Sequence, residues 1–376
     1  MKTEYDAVVI GAGVAGSSMA YALARKGWDV ALIEKSKFPR HKACGEFLSP
    51  ESIGTLQELG LAEAVNSLRP SQIIKARLHT ERGISLEIPL SGIARGVSRH
   101  ALDARLLWSA QEKGVRAYTG TVTAVNEVSN GHAIEFSSKE GRTRLHSRAV
   151  IAAWGRNSLR GYREVKSRPT RRVYMGIKSH YVGSDSDPVV DLYFFQGGYV
   201  GIAPIEGERL NVAALLTPDL FPRDGSDVLR RIMESAAARI PVLRSRLEQA
   251  IEVPGTRATV YPVEIRPEPR GWNGIPCIGD AAAVIPPFCG DGMSMALRSV
   301  RLCAPLADSY LRGKCTYEEW KKAYSELLKQ QFSGALKWGS LLESLLANPS
   351  MTSWLFRMGA ILPGAAKRLV QATRLR

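Results

Sequence analysis

A glycine-rich turn, Gly11-Ala12-Gly13-Val14-Ala15-Gly16, joins a short β-rich run at residues 5–10 to a helix-patterned stretch at 14–26, and a second strand-like run follows at 29–33. That is one βαβ unit, with hydrophobic periodicity changing from two to 3.6 and back. In such a unit the first glycine permits the tight turn, the second lets the backbone approach a diphosphate, and the third lets helix and strand pack closely. The free N–H groups and positive dipole end of the helix then meet the phosphates. Glu34 ends the second strand, where a carboxylate accepts hydrogen bonds from a ribose diol. The alternative is a glycine-rich turn with no ligand. The full strand–glycine–helix–acid order favours a bound dinucleotide.

A second motif lies far along the chain, Cys277-Ile278-Gly279-Asp280-Ala281-Ala282 followed by Pro287-Phe288-Cys289-Gly290-Asp291-Gly292. A strand ending in Gly-Asp aims a carboxylate at a ribityl or ribose hydroxyl, although taken alone Asp280 reads as a helix N-cap. The glycines after Pro287 expose N–H donors at another helix start, suited to stabilising negative charge.

Between the motifs the pattern predicts a helix over 100–113 capped by Ser98, and short strands at 121–128, 132–137 and 149–153. Residues 173–181, 189–195, 199–204 and 210–215 read as consecutive strands of an antiparallel sheet. Helices at 226–239 and 242–251, strands at 256–265 and 275–278, a helix opening near Gly292 and a helical end after Tyr317 complete the reading. At 376 residues the chain can bury more than one core. The expected fold is mixed α/β: a discontinuous Rossmann-type dinucleotide-binding domain (1–75, 98–165 and 270–315), an antiparallel-sheet substrate domain (76–97 and 166–269) and a C-terminal helical segment (316–376).

Taken together, these motifs resemble the FAD proteins of the p-hydroxybenzoate hydroxylase fold group, and most closely their geranylgeranyl reductase branch. The segment Phe38-Pro39-Arg40-His41-Lys42-Ala43-Cys44-Gly45-Glu46-Phe47-Leu48-Ser49-Pro50 is similar to that branch's RxKxCGG…LSP loop. Val97-Ser98-Arg99-His100-Ala101-Leu102-Asp103, the Gly-Asp motif and the PxxGxG turn also match, so the resemblance runs to about Leu311. It implies FAD contacts from Gly11, Gly13, Ala15, Gly16, Glu34, Lys35, Arg40, Arg99, Asp280, Pro287, Gly290, Gly292 and Met293, with Cys44 and Gly45 beside the isoalloxazine.

The departures bear on the reaction. Where the hydroxylases usually carry Asp-Gly, this chain reads Ala152-Ala153-Trp154-Gly155-Arg156. Trp154 replaces an aspartate linked to pyridine-nucleotide handling, so the electron donor is either NADPH or NADH, or a separate flavin reductase. The reductases' YxWxFP signature reads here Tyr199-Val200-Gly201-Ile202-Ala203-Pro204. Tyr199 and Pro204 match, while Gly201 and Ala203 replace two aromatics and open the expected substrate pocket formed by these four residues. Trp272-Asn273-Gly274-Ile275-Pro276 does not fit the WxWxIP motif of flavin-dependent halogenases, and halogenation is not expected.

The residues thus favour an FAD-dependent monooxygenase that inserts oxygen into an apolar or aromatic small molecule of secondary metabolism. The loop around Cys44 points instead to a reductase of C=C bonds in a lipid. Relatives of this fold that escort prenylated proteins without catalysis are a third reading, opposed by intact Gly11, Glu34, Asp280 and Gly292. No general acid or base is assigned; Cys44, Gly45 and Cys289 are the candidates beside the flavin. Free cysteines are usually small buried apolar residues, and that plain reading stands beside any redox role for Cys44 and Cys289. His41 and His100 read as hydrogen-bonding partners in FAD loops.

A formal net charge of +15 needs an anionic counterpart. The run Arg156, Arg160, Arg163, Lys166, Arg168, Arg171, Arg172 suits a phosphorylated, coenzyme A-linked or carrier-linked substrate, with a solvated face as the plain alternative. Nucleic acid is not expected, since no interleaved aromatics accompany the run. The C-terminal positions Leu341, Leu342, Leu345, Leu346, Trp354, Leu355, Ile361 and Leu362, with Lys367, Arg368, Arg374 and Arg376 beyond them, either touch an anionic membrane, lid the pocket or pack on the body. The last is the simplest. Five cysteines without a CxxC pair suggest free thiols in a reducing, cytoplasmic setting, and no apolar stretch is long enough to cross a bilayer. No metal-ligand spacing occurs.

Overall fold

The chain is described by a computed structural model covering residues 2–156, 159, 162, 173–183, 187–220, 228–265 and 268–361. Strand β1 (Glu4–Ile10) pairs in parallel with β2 (Val30–Glu34) on one side and with the end of β9 (Gly141–Ala152) on the other. Ala7, Val8 and Val9 are fully buried, which explains why this strand reads as an unbroken apolar run rather than an alternating one. The sheet is completed by β6 (Arg116–Thr119), β7 (Thr121–Val128) and β8 (Gly131–Ser138), in the order β6-β2-β1-β9-β8-β7.

Helix α1 (Val14–Ala24) leaves β1 through the glycine turn, and two of its three glycines are demanded by packing. A Cβ on Gly16 would stand 1.7 Å from the Gly11 carbonyl oxygen. One on Gly11, whose φ is +102°, would stand 2.4 Å from the Ala153 carbonyl oxygen at the end of β9. Helices α2 (Pro50–Leu59), α3 (Ala62–Asn66) and α4 (Arg99–Glu112) follow. Helix α4 begins where expected, with Ala101 N–H donating to Ser98 Oγ at 3.1 Å.

The second sheet has nine strands. They are β3 (Phe47–Leu48), β4 (Ser71–Thr80), β5 (Ser85–Gly96), β10 (Val173–Val182), β11 (Val189–Phe195), β12 (Gly198–Ile205), β13 (Arg209–Leu216), β14 (Ile251–Glu252) and β15 (Ala258–Glu264). The order is β14-β10-β13-β12-β11-β4-β5-β3, with β15 also on β10. Two corrections follow. The expected boundary between residues 75 and 76 falls inside β4, which is one continuous strand of this sheet. The sheet is also not purely antiparallel: β11 runs parallel to β4, because β4 arrives from a distant part of the chain instead of through a hairpin.

Alternation along β12 divides this sheet into two faces. Val200 and Ile202 turn toward α5 (Val228–Arg239) and α6 (Pro241–Glu248), packing in one cluster with Ala236, Ile240 and Leu243. Tyr199, Gly201 and Ala203 turn the other way.

The chain then re-enters the first sheet region through a two-strand hairpin, β16 (Trp272–Asn273) and β17 (Ile275–Pro276), after which Cys277 bridges Ala152 in parallel. The strand expected over 275–278 is therefore shorter. Helix α7 (Gly292–Leu311) packs on α1 and α2. Helix α8 (Tyr317–Leu346) opens with a capping box between Thr316 and Glu319. Its Trp320, Tyr324 and Phe332 are fully buried in the main core, so this helix packs on the body. Helix α9 (Pro349–Ile361) follows; Leu341 of α8 and Trp354 of α9 are exposed, while Leu362 and the basic C-terminal end lie outside the described residues. Among the described residues no helix is long and apolar enough to cross a membrane.

Candidate active site between the glycine turn and the large sheet

The middle glycine of the turn differs from its neighbours. A Cβ on Gly13 would meet no backbone, only Arg99 NH2 at 3.7 Å and Lys42 Nζ at 3.8 Å. Two cations thus face an open cradle at the N-terminus of α1, an arrangement fitted to a diphosphate. Both are held by Asp103. Arg99 donates from Nε to Oδ1 and from NH2 to Oδ2, each at 2.8 Å, and Lys42 donates to Oδ2 at 2.5 Å. Burial would raise the Asp103 carboxyl, but Arg99 and Lys42 outweigh it and hold it below the usual carboxylate range. Burial, reinforced by the Arg99 guanidinium, pushes Lys42 down to about 8. Lys42 and Asp103 both lie within the matched motifs, but of the three only Arg99 is assigned to the cofactor there; the i,i+4 spacing of Arg99 and Asp103 was the available signal.

Glu34 lies at the turn as expected. Its Oε2 accepts from Ala12 N–H at 2.8 Å and its Oε1 from Ser36 N–H at 3.1 Å. Arg40 NH2 stands 3.8 Å from Glu34, and the buried Arg40 Nε has no hydrogen-bond partner among the described residues. Lys35 is exposed. Ala15 is a packing residue: a Cβ on Gly279 would fall 2.8 Å from the Ala15 methyl. Asp280 lies inside a short 3₁₀ turn (Gly279–Ala281), not at its N-cap, and faces Arg156 Nε at 3.7 Å. Gly279 N–H, meanwhile, donates to Ser299 Oγ at 2.9 Å.

A cleft of about 850 Å³, part of it open to solvent, separates this region from the large sheet. Cys44, Gly45, Tyr199, Gly201, Ala203 and Cys289 all line it. Pro287 and Gly290 do too, Gly290 at φ +72° where an added Cβ would stand 3.0 Å from the Phe47 ring. Gly292 opens α7 and Met293 is buried beneath it. Pro204 is a correction: it is buried outside the cleft wall, its carbonyl so close to Gly96 that a Cβ there would be 1.7 Å away. Strand alternation would have kept Pro204 off the face that carries Tyr199, Gly201 and Ala203.

The cleft wall is apolar apart from Arg156, the Cys44 and Cys289 thiols and the Tyr199 phenol, which burial pushes well above its ordinary value. Beyond Tyr199, Leu215 and Phe288 lies a second chamber reaching α8, where Tyr174 donates a hydrogen bond to Glu343. Of the basic run, Arg156 lines the cleft; Arg160, Arg163, Lys166, Arg168, Arg171 and Arg172 lie outside the described residues. Trp154 stands edge-on to Tyr162, ring centroids 5.6 Å apart. His41 and His100, which read as isolated in the sequence, are stacked with centroids 4.6 Å apart. Among the described residues no cluster of side chains is arranged to hold a metal.

The FAD binding domain family matches residues 4–326 of this chain. Menaquinone reductase of Mycolicibacterium smegmatis is 29% identical, covering 93% of this chain and 86% of that protein. Digeranylgeranylglycerophospholipid reductase 2 of Methanopyrus kandleri is 28% identical, covering 89% and 85% respectively. In three dimensions the flavin-dependent brominase Bmp2 superposes with a TM-score of 0.81 at 22% identity, over 100% of this chain and 95% of that one, a likeness of fold.

Proposed function

The chain belongs to the FAD binding domain family, an FAD-dependent oxidoreductase by descent, and from that premise we propose that it saturates a carbon–carbon double bond in an elongated apolar molecule. The observation that carries this reading is the cleft. Its wall is apolar apart from Arg156, two thiols and the Tyr199 phenol, a second chamber that includes Glu343 adjoins it across Tyr199, Leu215 and Phe288, and among the described residues no carboxylate or imidazole lines the cleft itself. A substrate that had to be deprotonated before reaction would find no base there, whereas an isoprenoid-like chain needs only shape and dryness. The two reductase relatives support the same reading.

When bound, FAD supplies the two-electron redox chemistry. The Gly13 cradle with Arg99 and Lys42 takes its diphosphate, Glu34 the adenosine ribose, and Asp280 with the Arg156 pair a ribityl hydroxyl. Ala15 spaces α1 from the Gly-Asp turn, and Arg40 neutralises the phosphate side of Glu34. Cys44, Gly45 and the 287–292 turn would hold the redox ring. Gly201 and Ala203 would leave room for the substrate in the cleft.

Oxygen insertion is the second reading, favoured by Gly201 and Ala203, whose missing bulk would admit a bulkier or flatter molecule. Electrons come from NADPH or NADH in the first case and from a separate reductase in the second. The flavin-loaded protein, photoreduced without O₂, distinguishes them. Reoxidation by a polyprenyl alkene with no O₂ present supports reduction. Reoxidation that requires O₂, with ¹⁸O entering the product, replaces it with oxygen insertion. A colourless protein that takes up no FAD would return the escort reading.

A further inference from the structure

Strand β10 carries Lys178 and His180 two residues apart, on one face of the strand and wholly buried. Opposite them stands Glu46, also wholly buried, held at a left-handed φ of 55° immediately after the Cys44–Gly45 turn. Lys178 Nζ lies 3.1 Å from Glu46 Oε1 and 2.7 Å from His180 Nε2, and His180 Nε2 lies 2.6 Å from Glu46 Oε2. A fourth contact runs outward, from Lys178 Nζ to His41 Nδ1 at 3.2 Å. His41 stands edge-on to His180 at 5.1 Å and stacks on His100; both outer rings are half-buried.

The proton count in this cluster does not close on one arrangement. His180 Nδ1 has no hydrogen-bond partner among the described residues, so a proton there would be a buried donor without an acceptor. The ring proton therefore belongs on Nε2, which sits between Glu46 Oε2 and Lys178 Nζ. One N–H cannot point at both, and an ammonium would set N–H against N–H. The proton thus has three neighbouring sites within short hydrogen-bond distance. Burial pushes Lys178 down although Glu46 opposes it, and His180 and Lys178 hold Glu46 low against its own burial, so the neutral amine is within reach. Of the remaining charged groups nearby, Glu206 is paired with Arg209 and Ser98, while Arg99, paired with Asp103, also acts on the Cys44 thiol by charge and hydrogen bond.

We propose that Glu46, His180 and Lys178 form a proton relay that opens to solvent through His41 and His100 and ends at the Cys44–Gly45 turn of the cleft. The relay rests on the proposed reduction. Saturating a double bond adds one hydrogen with its electron pair, drawn from the reduced cofactor, and one proton. Among the described residues the cleft wall carries no acid of its own beyond thiols, a phenol and a guanidinium. Glu46 is tied to that wall, its N–H donating to Cys44 Sγ at 3.4 Å, and Lys178 acts electrostatically on the same thiol. The Cys44 S–H gives its proton to the substrate carbon, the thiolate is reprotonated through Lys178, and water replaces the proton through His100 and His41. Neither the thiol nor any relay member changes oxidation state.

Holoenzyme carrying Lys178→Met, His180→Gln or His41→Asn tests this through two readouts. The first is alkylation of Cys44 by iodoacetamide against pH, located by peptide mass spectrometry. The second is alkene reduction in H₂O and D₂O. The relay requires the Cys44 profile to move by about one pH unit or more in Lys178→Met. It also requires turnover to fall at least about tenfold with a larger solvent isotope effect in both β10 variants, FAD content unchanged. His41→Asn, at the half-buried entrance, gives the same sign and serves if the buried variants do not fold. Unchanged Cys44 profiles together with wild-type turnover and isotope effect overturn the relay while leaving the reductase reading intact. Shifted Cys44 profiles in an enzyme that reduces no alkene leave the relay standing and remove the reductase reading.

Discussion

Arg99 and Asp103 are joined by two parallel hydrogen bonds of 2.8 Å, one turn apart on α4, with the aspartate wholly buried. The same carboxylate takes Lys42 at 2.5 Å, so one buried anion aims two cations at the open side of Gly13. Asp103→Asn keeps the shape and removes the charge that holds the cations together. Breaking a buried pair on one side typically costs about 3–5 kcal/mol. The variant is expected to lose stability of that order in a denaturant melt and to bind FAD at least about tenfold more weakly by flavin fluorescence titration.

The three glycines of the turn should separate experimentally. Gly13→Val meets no backbone and should fold with a near-native melting curve while losing FAD absorbance, because the new side chain occupies the cradle. Gly16→Val, whose Cβ would overlap the Gly11 carbonyl, should not fold. Equal flavin occupancy in Gly13→Val and wild type would refute the assignment of the cradle.

Glu34→Gln should weaken FAD without emptying the site. A hydrogen bond to a charged group is worth roughly 1.5–3 kcal/mol, about one to two orders of magnitude in Kd. Equilibrium titration of the apoprotein measures it, and an unchanged Kd would remove Glu34 from the ribose.

Gly201→Trp addresses the cleft. A Cβ at this position meets Leu192 Cδ2 at 3.2 Å, which a flexible side chain can yield, and the indole then projects into the cleft. FAD content and folding should stay near wild type while turnover of the native substrate drops sharply. Loss of FAD or of fold would instead make Gly201 a packing residue of β12.

Stability should fall as pH drops through the histidine range. Burial, followed by Lys178, lowers His41 from 6.5 to about 4, so the unfolded chain binds more protons than the native one between those values. Unfolding free energy therefore rises with pH across that window and is lost on acidification from 6.5 toward 4. His100, lowered mainly by burial, adds with the same sign, and Glu46, held low by His180 and Lys178, adds its own loss below the ordinary glutamate range. Urea melts between pH 4 and 7 should show this slope, and His41→Asn should flatten it; a slope unchanged by the substitution would contradict the lowered value.

Much of the fold is written locally. Ser98 stands before α4 and caps it, Thr316 and Glu319 open α8, and the alternating runs of β10 to β13 begin and end within about two residues of where the pattern places them. Caps, turns and periodicity depend on neighbours three or four positions away, so one short segment contains the whole signal. The glycine turn with Glu34 belongs to this class, and with it the dinucleotide site.

The remainder depends on residues far apart in the chain. The motif assigns Gly13 to a ligand and Gly16 to packing, but the atoms that face them, Arg99 and Lys42 beside one and the Gly11 carbonyl beside the other, are set only by the fold. Pro204 matched a motif, yet strand alternation turns it away from the cleft. Asp103 gathers Lys42 from 61 positions away, and Glu46 meets Lys178 and His180 from 132 and 134 positions away. A lone histidine, lysine or glutamate has no local pattern to announce it. The sequence by itself determined which segments become strands and helices and where a dinucleotide lies, because those are short-range matters of backbone geometry and capping. Which charges share a proton behind Cys44, and which side chains wall the cleft, was decided only when β10 and the 41–46 loop came together out of reach of water, where an ionisable group must find its partner within hydrogen-bond distance.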